Sequence, residues 1–148
     1  MSSKRASHSA SAATYVLDEQ VGFLLRQTNQ RHGALFADAM GHELTPTQWA
    51  ALAKLAEMGV CSQNQLGRFT AMDVATIKGV VDRLIRDGHA ETHPDPEDGR
   101  RFRVALTDQG RETYERLVPV AFKISAATLE SLLPKERLEF LRLLKKLR

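Results

Sequence analysis

Apolar positions along the 148-residue chain change period several times, and each change marks an element. From Thr14 to about Met40, Leu17, Val21, Leu24, Leu25, Thr28, Leu35, Phe36 and Ala39 share one side of a 3.6-residue repeat, which predicts a long helix. Leu44-Thr45-Pro46 predicts the start of a second helix, with Thr45 as N-cap and Pro46 at the first helical position, where its missing N–H costs nothing. Trp49, Leu52 and Leu55 give that helix a buried stripe, Gly59 ends it, and Val60-Cys61 predicts a minimal strand. Ser62-Gln63-Asn64-Gln65 carries the residues of a capping box, opening a short helix that bears Leu66 and Phe69 and stops around Thr70-Ala71.

A further helix is expected behind Asp73, a cap or first-turn acid suited to the helix dipole. Its apolar stripe is Val74, Ile77, Val81, Leu84 and Ile85; the opposite face shows Ala75, Thr76, Lys78, Gly79, Asp82 and Arg83, and Gly88 supplies the stop. After Gly88 the period falls to two. His89–His93 and Arg101–Leu106 alternate as strands do, and Pro94–Arg100 between them is rich in turn residues. Thr107 then caps a helix reaching about Leu132 or Leu133, in which Pro119 should introduce a kink. Pro134 opens a last helix whose Phe140, Leu141, Leu144 and Leu147 form a stripe that one small domain has little left to cover. The expected fold class is mainly α with a small β-hairpin wing (α+β): a winged helix-turn-helix at 44–110, flanked by helices at 14–43 and 111–148 that form a dimerisation region.

The stretch from Ser62 to Gly110 resembles the MarR family of bacterial transcription regulators. The resemblance rests on Asp73, Thr76, Val81-Asp82-Arg83-Leu84, Gly88, the wing motif Asp95-Pro96-x-Asp98-x-Arg100, and Val104-Ala105-Leu106-Thr107 running to Gly110. It implies a homodimer that binds a pseudo-palindromic double-stranded operator, usually as a repressor released by a small ligand, such as an aromatic carboxylate or its coenzyme A thioester. The chain departs from many members at Ala75, where Ser is common, and at Lys78-Gly79, where Thr-Arg is common. Those positions read DNA in the family, so no relative's operator can be borrowed.

Charge alone adds little. The net charge is +3, yet residues 62–106 hold seven Lys/Arg and seven Asp/Glu, so the DNA-reading region is neutral and the placement of a few cations must carry the argument. No apolar run approaches membrane-spanning length, MSSKRASHSASAA lacks the apolar segment of a secretory signal, and one cysteine fits a reducing cytoplasm. Residues 1–13 are expected to be a flexible tail, in which Lys4 and Arg5 are a phosphate-contacting arm or, more plainly, solvated charges.

For DNA the expected contacts are Thr76 and Lys78 at base edges, Gly79 where backbone must approach closely, and Arg83 on a phosphate or paired with Asp82 or Asp87. Arg100 and Arg101 sit at the wing tip, with Asp98 holding the Arg100 guanidinium for the minor groove. For a small-molecule effector, Trp49, Phe36 and Met58 would line an apolar cleft, and Arg26, Arg31, His32 or His42 would meet an anion. Ordinary core is the competing reading for the aromatics, and a solvated face for the others. Cys61 falls at a small, buried position, which points to structure rather than to a redox sensor. His89 and His93 lie too far apart on a strand to share one ion, and no catalytic motif or cofactor loop occurs, so no enzyme is expected.

Overall fold

The computed structural model describes residues 12–148; the expected tail lies, but for its last two residues, outside the described part. Six α-helices and three short strands follow in order: α1 (Val21–Met40), α2 (Pro46–Met58), β1 (Cys61–Ser62), α3 (Gln63–Phe69), α4 (Val74–Arg86), β2 (Ala90–Pro94), β3 (Phe102–Leu106), α5 (Asp108–Thr128) and α6 (Pro134–Lys146). A 3-10 turn, Leu17–Glu19, precedes α1.

Local chemistry sets most boundaries. Thr45 and Ser62 each close a capping box with the glutamine three residues on, Gln48 and Gln65. Asp73 caps α4 by accepting the Thr76 backbone N–H at 2.7 Å, and Thr107 caps α5 by accepting that of Gly110 at 3.0 Å. The same Thr107 hydroxyl donates to the Gly88 carbonyl at 2.6 Å. Gly88 takes the left-handed conformation (φ 81°) that ends α4. At Gly110 a Cβ would lie 1.9 Å from the His89 carbonyl oxygen. The Leu106-Thr107-x-x-Gly110 run is thus the joint at which the end of α4, the wing and the start of α5 meet.

Two boundaries depart from expectation. The first long helix starts at Val21 rather than Thr14, because Gln20 is extended and its side-chain amide donates to the Val16 carbonyl at 2.8 Å. Helix α5 ends at Thr128 rather than at about Leu132 or Leu133: the Arg31 guanidinium from α1 donates to the carbonyls of Thr128 (2.7 Å) and Ala127 (3.0 Å). Helix α5 continues through Pro119, whose ring is exposed, without a break.

The strands form one antiparallel sheet in the order β1-β3-β2, with Cys61 opposite Val104 and Ala90 opposite Leu106. Against it pack α2, α3 and α4, whose Leu52, Leu55, Leu66, Ile77, Val80, Val81 and Leu84 are sealed from solvent. Each such side chain contributes roughly 1.5–3 kcal/mol of burial. The stripe of α4 is therefore Ile77, Val80, Val81 and Leu84: Val80 joins it, whereas the expected Val74 and Ile85 stand in solvent. Helices α1 and α5 pack side by side. In α6 no residue is buried, and its Phe140, Leu143 and Leu144 line an apolar groove shared with Val21, Leu24 and Leu25 of α1.

Candidate DNA-reading surface and effector cleft

Burial of one face of α4 fixes what the other face presents. Ala75, Thr76, Lys78, Asp82, Arg83 and Arg86 are exposed. Lys78 Nζ lies 2.9 Å from Asp82 Oδ2 one turn on, and Arg86 Nε lies 3.1 Å from Asp87. Both partners offered to Arg83 by the sequence are therefore engaged elsewhere. Its guanidinium instead folds over Gly79, where an added Cβ would come within 3.6 Å of it. The close approach at Gly79 is by Arg83 of the same helix. The carboxyl of Asp73 is held below its ordinary pKa by its hydrogen bonds from Thr76, side chain and then backbone, so the cap stays ionised.

The wing tip is organised by two aspartates. Asp95 Oδ1 accepts the Glu97 backbone N–H at 2.9 Å, and its other oxygen faces Arg103 Nε at 3.5 Å. Together these hold the carboxyl below its ordinary pKa, the Glu97 bond first. Asp98 corrects an expectation: its Oδ1 accepts the backbone N–H of Arg100 at 3.0 Å, and the guanidinium it faces is that of Arg101, at 3.7 Å. A carboxylate two residues ahead of an N–H closes an Asx turn, leaving the Arg100 guanidinium to solvent. Between the wing and α3 opens a polar cleft of about 490 Å³, lined among others by Arg68, Arg101 and Arg103. Arg68 and Arg103 were not singled out in the sequence; Arg103 alternates with Arg101, but only tertiary packing brings Arg68 of α3 beside them.

The aromatic residues gather where α1, α2 and α5 meet. Trp49 stacks on Tyr114 (centroids 5.6 Å apart, 18° between planes), and Phe36 is buried. A cleft of about 140 Å³ is lined by His32, Phe36, Trp49, Ala121, Ile124 and Ser125. His32 Nδ1 lies 2.8 Å from Thr128 Oγ1, whose single proton goes to the Ile124 carbonyl at 2.8 Å. Nδ1 is therefore the donor to Thr128, and Nε2 keeps the lone pair or a second proton. His32 and Ser125 also line an apolar groove of about 350 Å³ that reaches Phe140 and Leu144 of α6. Arg26, His42 and Met58 line neither cavity, and Arg31 is committed to the end of α5. Tyr114, Ser125 and Thr128 were missed as a group because α5 is distant from α1 and α2 in sequence.

Cys61 is buried, which pushes its thiol pKa up and away from thiolate reactivity. Among the described residues no group of His, Cys, Asp and Glu could hold a metal ion, and no helix is long and apolar enough to cross a membrane.

Comparison with known proteins agrees with this architecture. The MarR family model matches residues 42–101. The transcriptional repressor NicR of Pseudomonas putida is 40% identical over 134 residues, 90% of this chain and 85% of NicR. A "probable transcriptional regulator" from Pseudomonas aeruginosa superposes with a TM-score of 0.88 at 51% identity, over 90% of this chain and all of that one. BpsR of Bordetella bronchiseptica, whose DNA binding is regulated by 6-hydroxynicotinic acid, has a TM-score of 0.88 at 38% identity, covering 91% of this chain and 97% of its own. The chain belongs to the MarR family of winged helix-turn-helix transcriptional regulators.

Proposed function

We propose that this DNA-binding regulator is a homodimeric repressor of a pseudo-palindromic operator, released from it by a small aromatic carboxylic acid. The observation that carries the reading is the exposed polar face of α4 beside a wing whose tip leaves Arg100 in solvent. Thr76 and Lys78 would meet base edges in the major groove, Arg83 and Arg101 phosphates, and Arg100 the minor groove. Lys78 would exchange its contact with Asp82 for one to DNA, a small loss because an exposed ion pair is worth about 0–1 kcal/mol.

Dimerisation is supported by α6, which buries nothing of its own and turns apolar residues toward α1. A second copy is the economical cover for such a face, and two-fold symmetry then places two recognition helices on one side of the duplex.

For the effector, the cleft beside Trp49 combines an aromatic stack, a histidine and the Ser125 hydroxyl, which suits one aromatic ring carrying a carboxylate. The regulation of BpsR by 6-hydroxynicotinic acid makes hydroxylated pyridine and benzene carboxylates the first class to try. A ligand can release DNA only by differing in affinity for the two arrangements of the dimer, so ligand and DNA should weaken each other's binding.

The test is a titration of the protein against the DNA upstream of its own gene, at two salt concentrations, with random DNA as competitor. Selective binding that weakens steeply with salt is expected, from counterion release. Adding 6-hydroxynicotinic acid or a related acid should release the complex and quench the fluorescence of the single tryptophan, Trp49. Equal affinity for random DNA, with no site enriched from genomic fragments, would instead favour a protein-interaction module.

A further inference from the structure

Among the side chains that α4 presents, Val74 is the most exposed large apolar one. The first residue of the helix, it is 71% exposed and stands outside the core cluster, which takes Ile77, Val80, Val81 and Leu84 from the same helix. With exposed Ala75 beside it, Val74 forms an apolar lip at the leading end of the helix, just ahead of Thr76. The lip is held rigidly. Asp73 fixes the first turn through its bond to the Thr76 N–H, and a β-branched side chain in a helix keeps essentially one χ1 rotamer.

The leading residues of a recognition helix contact base edges, and in the major groove only thymine offers an apolar group, its C5 methyl. We propose that Val74 is a specificity-determining residue that packs its isopropyl group against a thymine C5 methyl in each operator half-site. The inference rests on the reading that α4 enters the major groove, and adds what α4 selects there. Thr76 and Lys78 address hydrogen-bonding edges; Val74 selects a methyl. Cytosine at the same position would set a C5–H and an amino donor against the valine, leaving the amino group without a partner.

The magnitude is that of one buried methyl, about fourfold in affinity per half-site (~0.8 kcal/mol), hence about 16-fold when both half-sites of a dimer lose it. Operators are selected from random duplexes with the full-length protein. Each thymine of the selected half-site is then replaced by deoxyuridine, which removes only the methyl, and binding of the wild type and of Val74→Ser is measured. One thymine per half-site is expected to weaken wild-type binding about fourfold when replaced and to leave Val74→Ser unaffected. Circular dichroism and low-salt binding to random duplex establish that the variant is folded and keeps its phosphate contacts. Coincident deoxyuridine profiles for the two proteins, or selected half-sites without thymine, would overturn the proposal. Failure to enrich any sequence would remove the DNA reading itself, and this assignment with it.

Discussion

Asp98 accepts the backbone N–H of Arg100 at 3.0 Å, so the acid of the wing motif holds the turn rather than the arginine head group. The Arg100 side chain is exposed at the tip of a loop tied at both ends, Asp95 N–H to the Arg101 carbonyl at 2.9 Å and Arg101 N–H to the Asp98 carbonyl at 3.0 Å. Such an arrangement presents one cation at a defined place without neutralising it.

Replacing Arg100 by Ala should leave folding unchanged and lower operator affinity by about five- to 150-fold, since losing one groove-reading arginine costs about 1–3 kcal/mol. A gel-shift titration beside circular dichroism checks this. Unchanged affinity would take Arg100 out of the interface.

Replacing Asp98 by Ala separates positioning from charge. Removing an acid near phosphates should by itself strengthen DNA binding, whereas loss of the turn that aims Arg100 should weaken it. We expect a net loss of several-fold, because a hydrogen bond to a charged carboxylate is worth about 1.5–3 kcal/mol and removing the acid offsets only part of it. Tighter binding by the variant would mean that the Asx turn does not position the wing.

At Gly110 the test is of the fold. A methyl there would meet the His89 carbonyl oxygen, so Gly110→Ala must separate α5 from the end of α4. The expected loss is about 3 kcal/mol, the upper end of ordinary overpacking, or roughly 10 °C in Tm for a domain of this size. Thermal melting decides it, and a variant as stable as the wild type would show that the joint can open at little cost.

What could be read from the sequence was local. Thr45, Ser62, Asp73 and Thr107 are caps as spelled, because a cap needs only its own residue and the three that follow. The wing was legible from its turn residues and alternation. Side-chain partners are set by tertiary packing instead. Arg31, read as a surface cation or anion ligand, binds the end of a helix 97 residues away. Val74 and Val80 exchanged places because the width of a buried stripe depends on what packs against it, not on the period. Nothing near Thr14 signals that the helix waits until Val21: the stop comes from the extended Gln20 and its bond back to Val16. In the effector cleft, Phe36, Trp49 and His32 were in view, but Ser125, together with Tyr114 against Trp49 and Thr128 against His32, comes from a helix that only tertiary packing brings alongside.

Acid should loosen the joint between the α1–α2 loop and α5. Glu43 in that loop pairs with the Arg116 guanidinium of α5, one contact measuring 3.1 Å. The hydrogen bond from Arg116 holds the Glu43 carboxyl below its ordinary pKa, against a smaller opposing effect of burial. A carboxylate with a lowered pKa in the folded state contributes stability that is fully present above the ordinary glutamate range and is lost as pH falls through the lowered value. Glu43→Gln should therefore lower Tm near about pH 7 and lose less on going to about pH 4 than the wild type does. Asp73, Asp87, Asp95 and Glu139 are lowered as well and remain in the variant, so its acid limb becomes shallower without vanishing. Melting curves at the two pH values compare the slopes directly. Equal acid losses in the two proteins would show that the Glu43–Arg116 pair, although formed, is too well solvated to couple protonation to the fold.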